Sequence, residues 1–205
     1  MAGTQTPTRA FAMPIAQASS HFWPCSPTMG ETPVEKTRGD QMTRPLPKQA
    51  KPVAASRTVA THILHHEDIN GSNRLFGGRL MAWIDNAAGI AARRHSGTEI
   101  TTACVDTLEF KNPAYLNDIV VIEASVTRVG RTSMEVMVDS YVEKPETGER
   151  LLINHAYLTE VCVDDEGHPI EVPYGLLLGT DAERAENACA ERRAQLHRQR
   201  RAEGV

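Results

Sequence analysis

The 205 residues carry 22 Lys and Arg against 26 Asp and Glu, a formal charge of −4, with 40% hydrophobic and 23% charged residues. That balance fits one ordinary domain with extensions and gives no general electrostatic reason to bind nucleic acid or membrane. The longest apolar runs, such as Ala87 to Ala92, fall far short of the roughly 20 residues that span a bilayer, so a soluble protein is expected.

Residues 1–55 are rich in Pro, Thr, Ser and Ala without sustained periodicity and read as a disordered leader. Translation starts at Met29 or Met42 stay open. The first fifty residues contain no apolar signal core. Cys25, Cys104, Cys162 and Cys189 form neither a C-x-x-C pair nor a zinc-type Cys/His spacing. A cytoplasmic protein with reduced thiols and no metal is the expectation, and the pair His65-His66 with Asp68 lacks a third ligand at clear spacing.

A domain is expected over residues 56–175. It begins with a strand at 57–64 and a polar loop at 65–74. Gly77-Gly78 and a closing Arg93-Arg94 then frame a helix at about 79–95. Its apolar residues (Leu80, Met81, Trp83, Ile84, Ala87, Ala88, Ile90, Ala91) run almost all the way round, the pattern of a helix buried on every side. Segments 100–110, 118–129, 132–142 and 151–163 are rich in Val, Ile, Thr and Tyr and read as strands. Their short separators favour antiparallel neighbours. The fold class is therefore α+β, an antiparallel sheet wrapped around one long buried helix. Residues 176–205 form a charged tail, with an exposed helix at 181–201 whose basic end reads as a solvated face.

Asp85 is the most informative residue. A lone buried carboxylate costs several kcal/mol unless it is paired, neutralised or hydrated. Its neighbours within a turn, Met81, Ala82, Ala88 and Gly89, offer no partner. It is either a working acid, or one that bonds a backbone amide or meets solvent at a subunit edge. The loop before the helix adds Asn70, which has both a donor and an acceptor or is simply a turn residue. Gly77 and Gly78 serve either close packing or an oxyanion site, since free N–H groups crowd a helix start. No serine lies in a nucleophile-elbow context, and no phosphate loop or dinucleotide fingerprint is present.

The pattern Asn70-x5-Phe76-Gly77-Gly78-x-Leu80-Met81-x3-Asp85 resembles the hotdog-fold acyl-CoA hydrolases of the YciA/BACH type. So do Thr102-x2-Val105-Asp106-x3-Phe110-x2-Pro113-x4-Asp118 and Val129-Gly130-Arg131-Thr132-Ser133-Met134-Glu135-Val136, and the similarity spans about Ser56 to Pro173. The resemblance implies a hotdog fold and hydrolysis of acyl-CoA to free acid and CoA. It also implies homodimers that share one sheet, often assembled as trimers of dimers. It makes Asn70 and Asp85 catalytic and brings Gly130, Arg131, Thr132 and Ser133 to the CoA moiety. Phe76 and Gly77 are candidates for the substrate side and the Gly78 amide for the oxyanion donor, while Arg131 and Lys111 are candidates for the CoA phosphates. No cofactor is required, because coenzyme A is part of the substrate.

Geometry adds an expectation of its own. A helix rises 1.5 Å per residue, so Gly78 and Asp85 lie roughly 10 Å apart along it. A base and an oxyanion donor must both come within about 3 Å of the reacting group. One chain has difficulty supplying both, which points to a composite site across a dimer. The alternative readings are a non-catalytic acyl-CoA-binding sensor and an acyl dehydratase. The latter lacks the histidine it needs between His66 and His95.

Overall fold

The computed structural model describes residues 49–204. The bulk of the expected leader, with Cys25, Met29 and Met42, lies outside the described residues. Strand β1 (Ala50–Pro52) and a single 3-10 turn (Val53–Ala55) already precede Ser56, so ordered chain begins earlier than the expected boundary. The reason is pairing: β1 runs parallel to β7 (Gly175–Leu177), and Lys51 donates to the His95 carbonyl at 2.7 Å. The two ends of the expected domain are thus tied to each other.

Strands β2 (Thr58–Ile63), β3 (Glu99–Phe110), β4 (Ile119–Val129), β5 (Ser133–Glu143) and β6 (Arg150–Val163) form one antiparallel sheet in the order β2-β4-β5-β6-β3. Helix α1 (Gly77–Ser96) lies on one face of it. The inward residues alternate as a pleated strand requires: Met134, Val136 and Val138 on β5, and Ala156, Leu158 and Cys162 on β6, are all buried in one core with Leu80, Ile84, Ala88 and Ala91 of α1. Register shifts in the β3–β6, β4–β5 and β5–β6 pairs add local bend and twist. The sheet therefore curves around the helix, as expected.

Two expectations need correction. Helix α1 is buried on one side only in the single chain: Leu80, Ile84, Ala87, Ala88, Ala91 and Ala92 face the sheet, while Met81 and Ile90 are each 44% exposed and Asp85 is exposed. Its open side faces the same way as β3, which ends the sheet and leaves Val105 and Phe110 exposed. The second correction concerns helix α2 (Asp181–Glu203), which is docked, not free. It crosses the other face of the sheet, where Ala190 is fully buried and Asn187 donates to the Thr127 carbonyl at 2.7 Å. Arg193 anchors it, bonded to Glu135 at 2.8 Å and Glu186 at 2.6 Å, with its guanidinium 3.6 Å above the Tyr157 ring. A hydropathy reading misses the docking of α2 because polar groups hold it.

Glu135 has a side chain only 7% exposed, and a buried carboxylate stripped of its cation is costly. Replacing Arg193 by Ala is expected to lower stability by about 2 kcal/mol, read by urea unfolding. The double variant R193A/E135A should recover part of that loss, because it removes the orphaned charge as well.

Candidate active site

The loop that leads into α1 is built on Asp68 and Asn70. Asp68 is 5% exposed and pairs with Arg79 of the first helical turn at 3.0 Å, while its other oxygen accepts from the His65 amide. Asp68 is thus engaged within the loop, by the His65 backbone and the Arg79 side chain. The Asn70 side-chain oxygen accepts from the amides of Ser72 (2.9 Å) and Arg74 (3.2 Å). Asn70 is therefore a turn residue whose turn fixes its side-chain acceptor.

Helix α1 starts at Gly77, capped by Phe76 with no side-chain cap bond. The first N–H groups of the helix thus have no intrahelical partner. The Phe76 ring folds over Gly78 so closely that a Cβ there would sit 2.6 Å from it. Gly77 is tight as well, since a Cβ would come 3.3 Å from Phe110. Both glycines are close-packing positions, and Phe76, 55% exposed, lies across the helix start.

Asp85 projects from the open side of α1. Its Oδ1 accepts a hydrogen bond from the Thr102 hydroxyl of β3 at 2.7 Å. It stands beside a groove of about 270 Å³ between α1 and β3, with Met81, Ala82, Ile84, Val105, Leu108 and Leu158 as the other walls. The acid is therefore not buried among apolar groups in one chain, contrary to the sequence argument. It sits at the rim of an apolar groove with one neutral donor.

The sequence reading missed Glu160. This residue is the cross-strand partner of Thr102, is fully buried, and places its carboxyl oxygens 3.2 and 3.3 Å from the Thr102 hydroxyl. Burial first, and the charge of Asp85 beside it, push its carboxyl up to about 7, against the opposing hydrogen bond from Thr102. A signal existed in the sequence: Ala156, Leu158, Glu160 and Cys162 share the inward parity of β6, so an acid occupies a core position.

The expected CoA segment forms the β4–β5 turn. The Gly130 amide donates to the Ser133 carbonyl at 2.7 Å, and a Cβ on Gly130 would meet that same oxygen at 3.1 Å. Arg131 is exposed, 4.0 Å from Glu171, while Thr132 and Ser133 line a second cavity of about 280 Å³. Helix α2 closes its far wall with Ala194, His197 and Arg198. His197 pairs with Asp106 at 3.2 Å. Lys111 instead pairs with Glu109, whose carboxyl the ammonium holds below the usual range.

One chain does not bring these parts together. Asn70, Gly77 and Gly78 line neither cavity, and Asp85 lies on the α1 face while Glu135 and Thr159 of the second cavity lie on the α2 face.

Residues 72–149 match the thioesterase superfamily model. The uncharacterized acyl-CoA thioester hydrolase YkhA of Bacillus subtilis is 43% identical over 118 residues, which cover 58% of this chain and 69% of that protein. The chain belongs to the thioesterase superfamily. Among solved thioesterases, the acyl-CoA hydrolase of Staphylococcus aureus, crystallised with butyryl coenzyme A and coenzyme A, superimposes with a TM-score of 0.71 at 34% identity. That alignment covers 76% of this chain and 94% of the other. The same enzyme has been crystallised as Asn-to-Ala, Asp-to-Ala and Thr-to-Ala variants. An apo-hexameric acyl-CoA thioesterase gives a TM-score of 0.71 at 36% identity, over 75% of this chain and 98% of that one. The curved sheet around α1 is the hotdog fold of these thioesterases.

The Glu160 carboxyl makes stability depend on pH. The unfolded group titrates near its ordinary 4.5 and the folded group near 7, so between those values the folded state holds more protons and stability falls as pH rises. Ionising the buried group above both values costs about 3 kcal/mol. E160Q is therefore expected to overtake the wild type by about that amount between pH ~4 and ~8, read by urea unfolding at each pH. A constant difference would contradict it.

Proposed function

We propose that this thioesterase hydrolyses acyl-CoA to a free carboxylic acid and CoA, with Asp85 as general base. The observation that carries the reading is the Asp85 carboxylate at the rim of an apolar groove, held by the Thr102 hydroxyl and opposed by no cation among the described residues. Such a carboxylate keeps an oxygen for water next to a surface suited to an acyl chain. Spacing supports it further. The three substituted residues of the Staphylococcus aureus enzyme follow one another at intervals of 15 and 17 positions, and so do Asn70, Asp85 and Thr102 here.

In this mechanism Asp85 takes a proton from water, whose oxygen attacks the thioester carbon. The Gly78 amide and the Asn70 NH2 group receive the oxyanion. Collapse breaks the C–S bond, and the CoA thiolate leaves with the proton that Asp85 held. Gly78 and Asp85 are separated by roughly 10 Å of helix, so the Asn70 and Gly78 end belongs to one subunit and Asp85 to its partner. The open side of α1 and the outer edge of β3 supply the surface for a homodimer with a shared sheet. A trimer of dimers follows by analogy with the hexameric relative. Phe76 and Gly77 flank the substrate, while Gly130, Arg131, Thr132 and Ser133 approach CoA with Arg198 of α2 beside them. The reaction needs neither metal nor added cofactor, and its setting is the cytoplasm.

Asp85→Ala is expected to lower kcat by about 10³-fold, in the range of a lost general base, while CoA affinity measured by calorimetry stays nearly unchanged. Single turnover in heavy-oxygen water should leave Asp85 unlabelled. Label in Asp85 would instead mean direct attack through an anhydride. Wild-type protein that binds CoA thioesters without releasing thiol would make the chain a sensor.

A further inference from the structure

The Thr102 hydroxyl stands between two carboxyl groups, Asp85 at 2.7 Å and Glu160 at 3.2 and 3.3 Å. A hydroxyl has one hydrogen to give and can accept at the same oxygen. Two ionised carboxylates cannot both be satisfied by it. The shorter bond goes to Asp85, so the longer contact is served only when Glu160 carries a proton and donates it to the Thr102 oxygen. Every hydrogen is then placed: Glu160 O–H to Thr102, Thr102 O–H to Asp85.

We propose that Glu160 is a positioning residue for hydrolysis: in its neutral form it orients the Thr102 hydroxyl and thereby fixes the Asp85 carboxylate. This inference rests on Asp85 being the base. The surroundings of Glu160 fit a neutral acid. Across the sheet, β3 presents Thr102 and β5 presents Met134. Along its own strand the neighbours on the same face are Leu158 and the Cys162 thiol, both in the core. From α1 the charge that reaches it is that of Asp85, and no cation among the described residues pairs with it. When Glu160 ionises, the Thr102 hydrogen is contested between two anions and the hold on Asp85 loosens. The proton that leaves goes to solvent, and no covalent bond changes.

The test is the pH dependence of kcat for butyryl-CoA hydrolysis in the wild type, E160Q, E160L and D85N, with infrared titration of the same proteins. The wild-type profile should show a fall in kcat through about pH 7. In E160Q an amide N–H replaces the carboxyl donor at every pH. Its kcat should stay within about threefold of the wild type below that step and show no step at all. E160L has no donor and should lose roughly tenfold in kcat with little change in KM. The infrared spectrum should contain a neutral carboxyl band that vanishes through the same pH range and is missing from E160Q. A step that persists in E160Q, beside an inactive D85N, overturns the role of Glu160 alone. An active D85N overturns the base reading beneath it, and the infrared band still reports whether Glu160 is neutral.

Discussion

Helix α1 buries one side against the sheet and leaves the other open, and the dividing line falls between Ile84 and Asp85. Ile84 is 1% exposed and seals the core, while the next residue, about 100° further round the helix, reaches the groove and Thr102. The groove, the β3 edge and the acid owe their positions to this division. Any rotation of α1 would trade Ile84 for Asp85 in the core, a change that costs a well-packed side chain and buries a charge. Packing thus fixes the direction in which the carboxylate points.

The core elements were readable because composition and the residues at their ends agree. The Val, Ile, Thr and Tyr content of the strand segments, the glycine pair and Arg93-Arg94 place the strands and α1 to within one or two residues. The site was readable in part. Asp85 and Asn70 stand out by residue type and spacing, yet the reason first given for Asp85, burial among apolar groups, applies to α1 as a sealed helix. In the chain itself one side of α1 is open, since Met81, Asp85 and Ile90 lie off the face that meets the sheet.

What sequence reading missed depends on long-range contacts. Thr102 and Glu160 are 58 residues apart and meet only through the β3–β6 register. Glu160 sits among strand formers, and only its parity marks it as inward. Helix α2 looks solvated because its docking groups, Arg193, Asn187 and His197, are polar. The strand β1 is three residues long and exists because β7 pairs with it.

The central claim is that Asp85 of one subunit works with Asn70 of another. The most direct measurement mixes inactive Asn70→Ala and Asp85→Ala subunits under conditions where mixed dimers form, as verified by native mass spectrometry. A composite site predicts recovery to about a quarter of wild-type activity, because half of the dimers are mixed and each of those regains one intact site. Mixed dimers with no recovered activity, or a monomer that turns over acyl-CoA, would contradict the account.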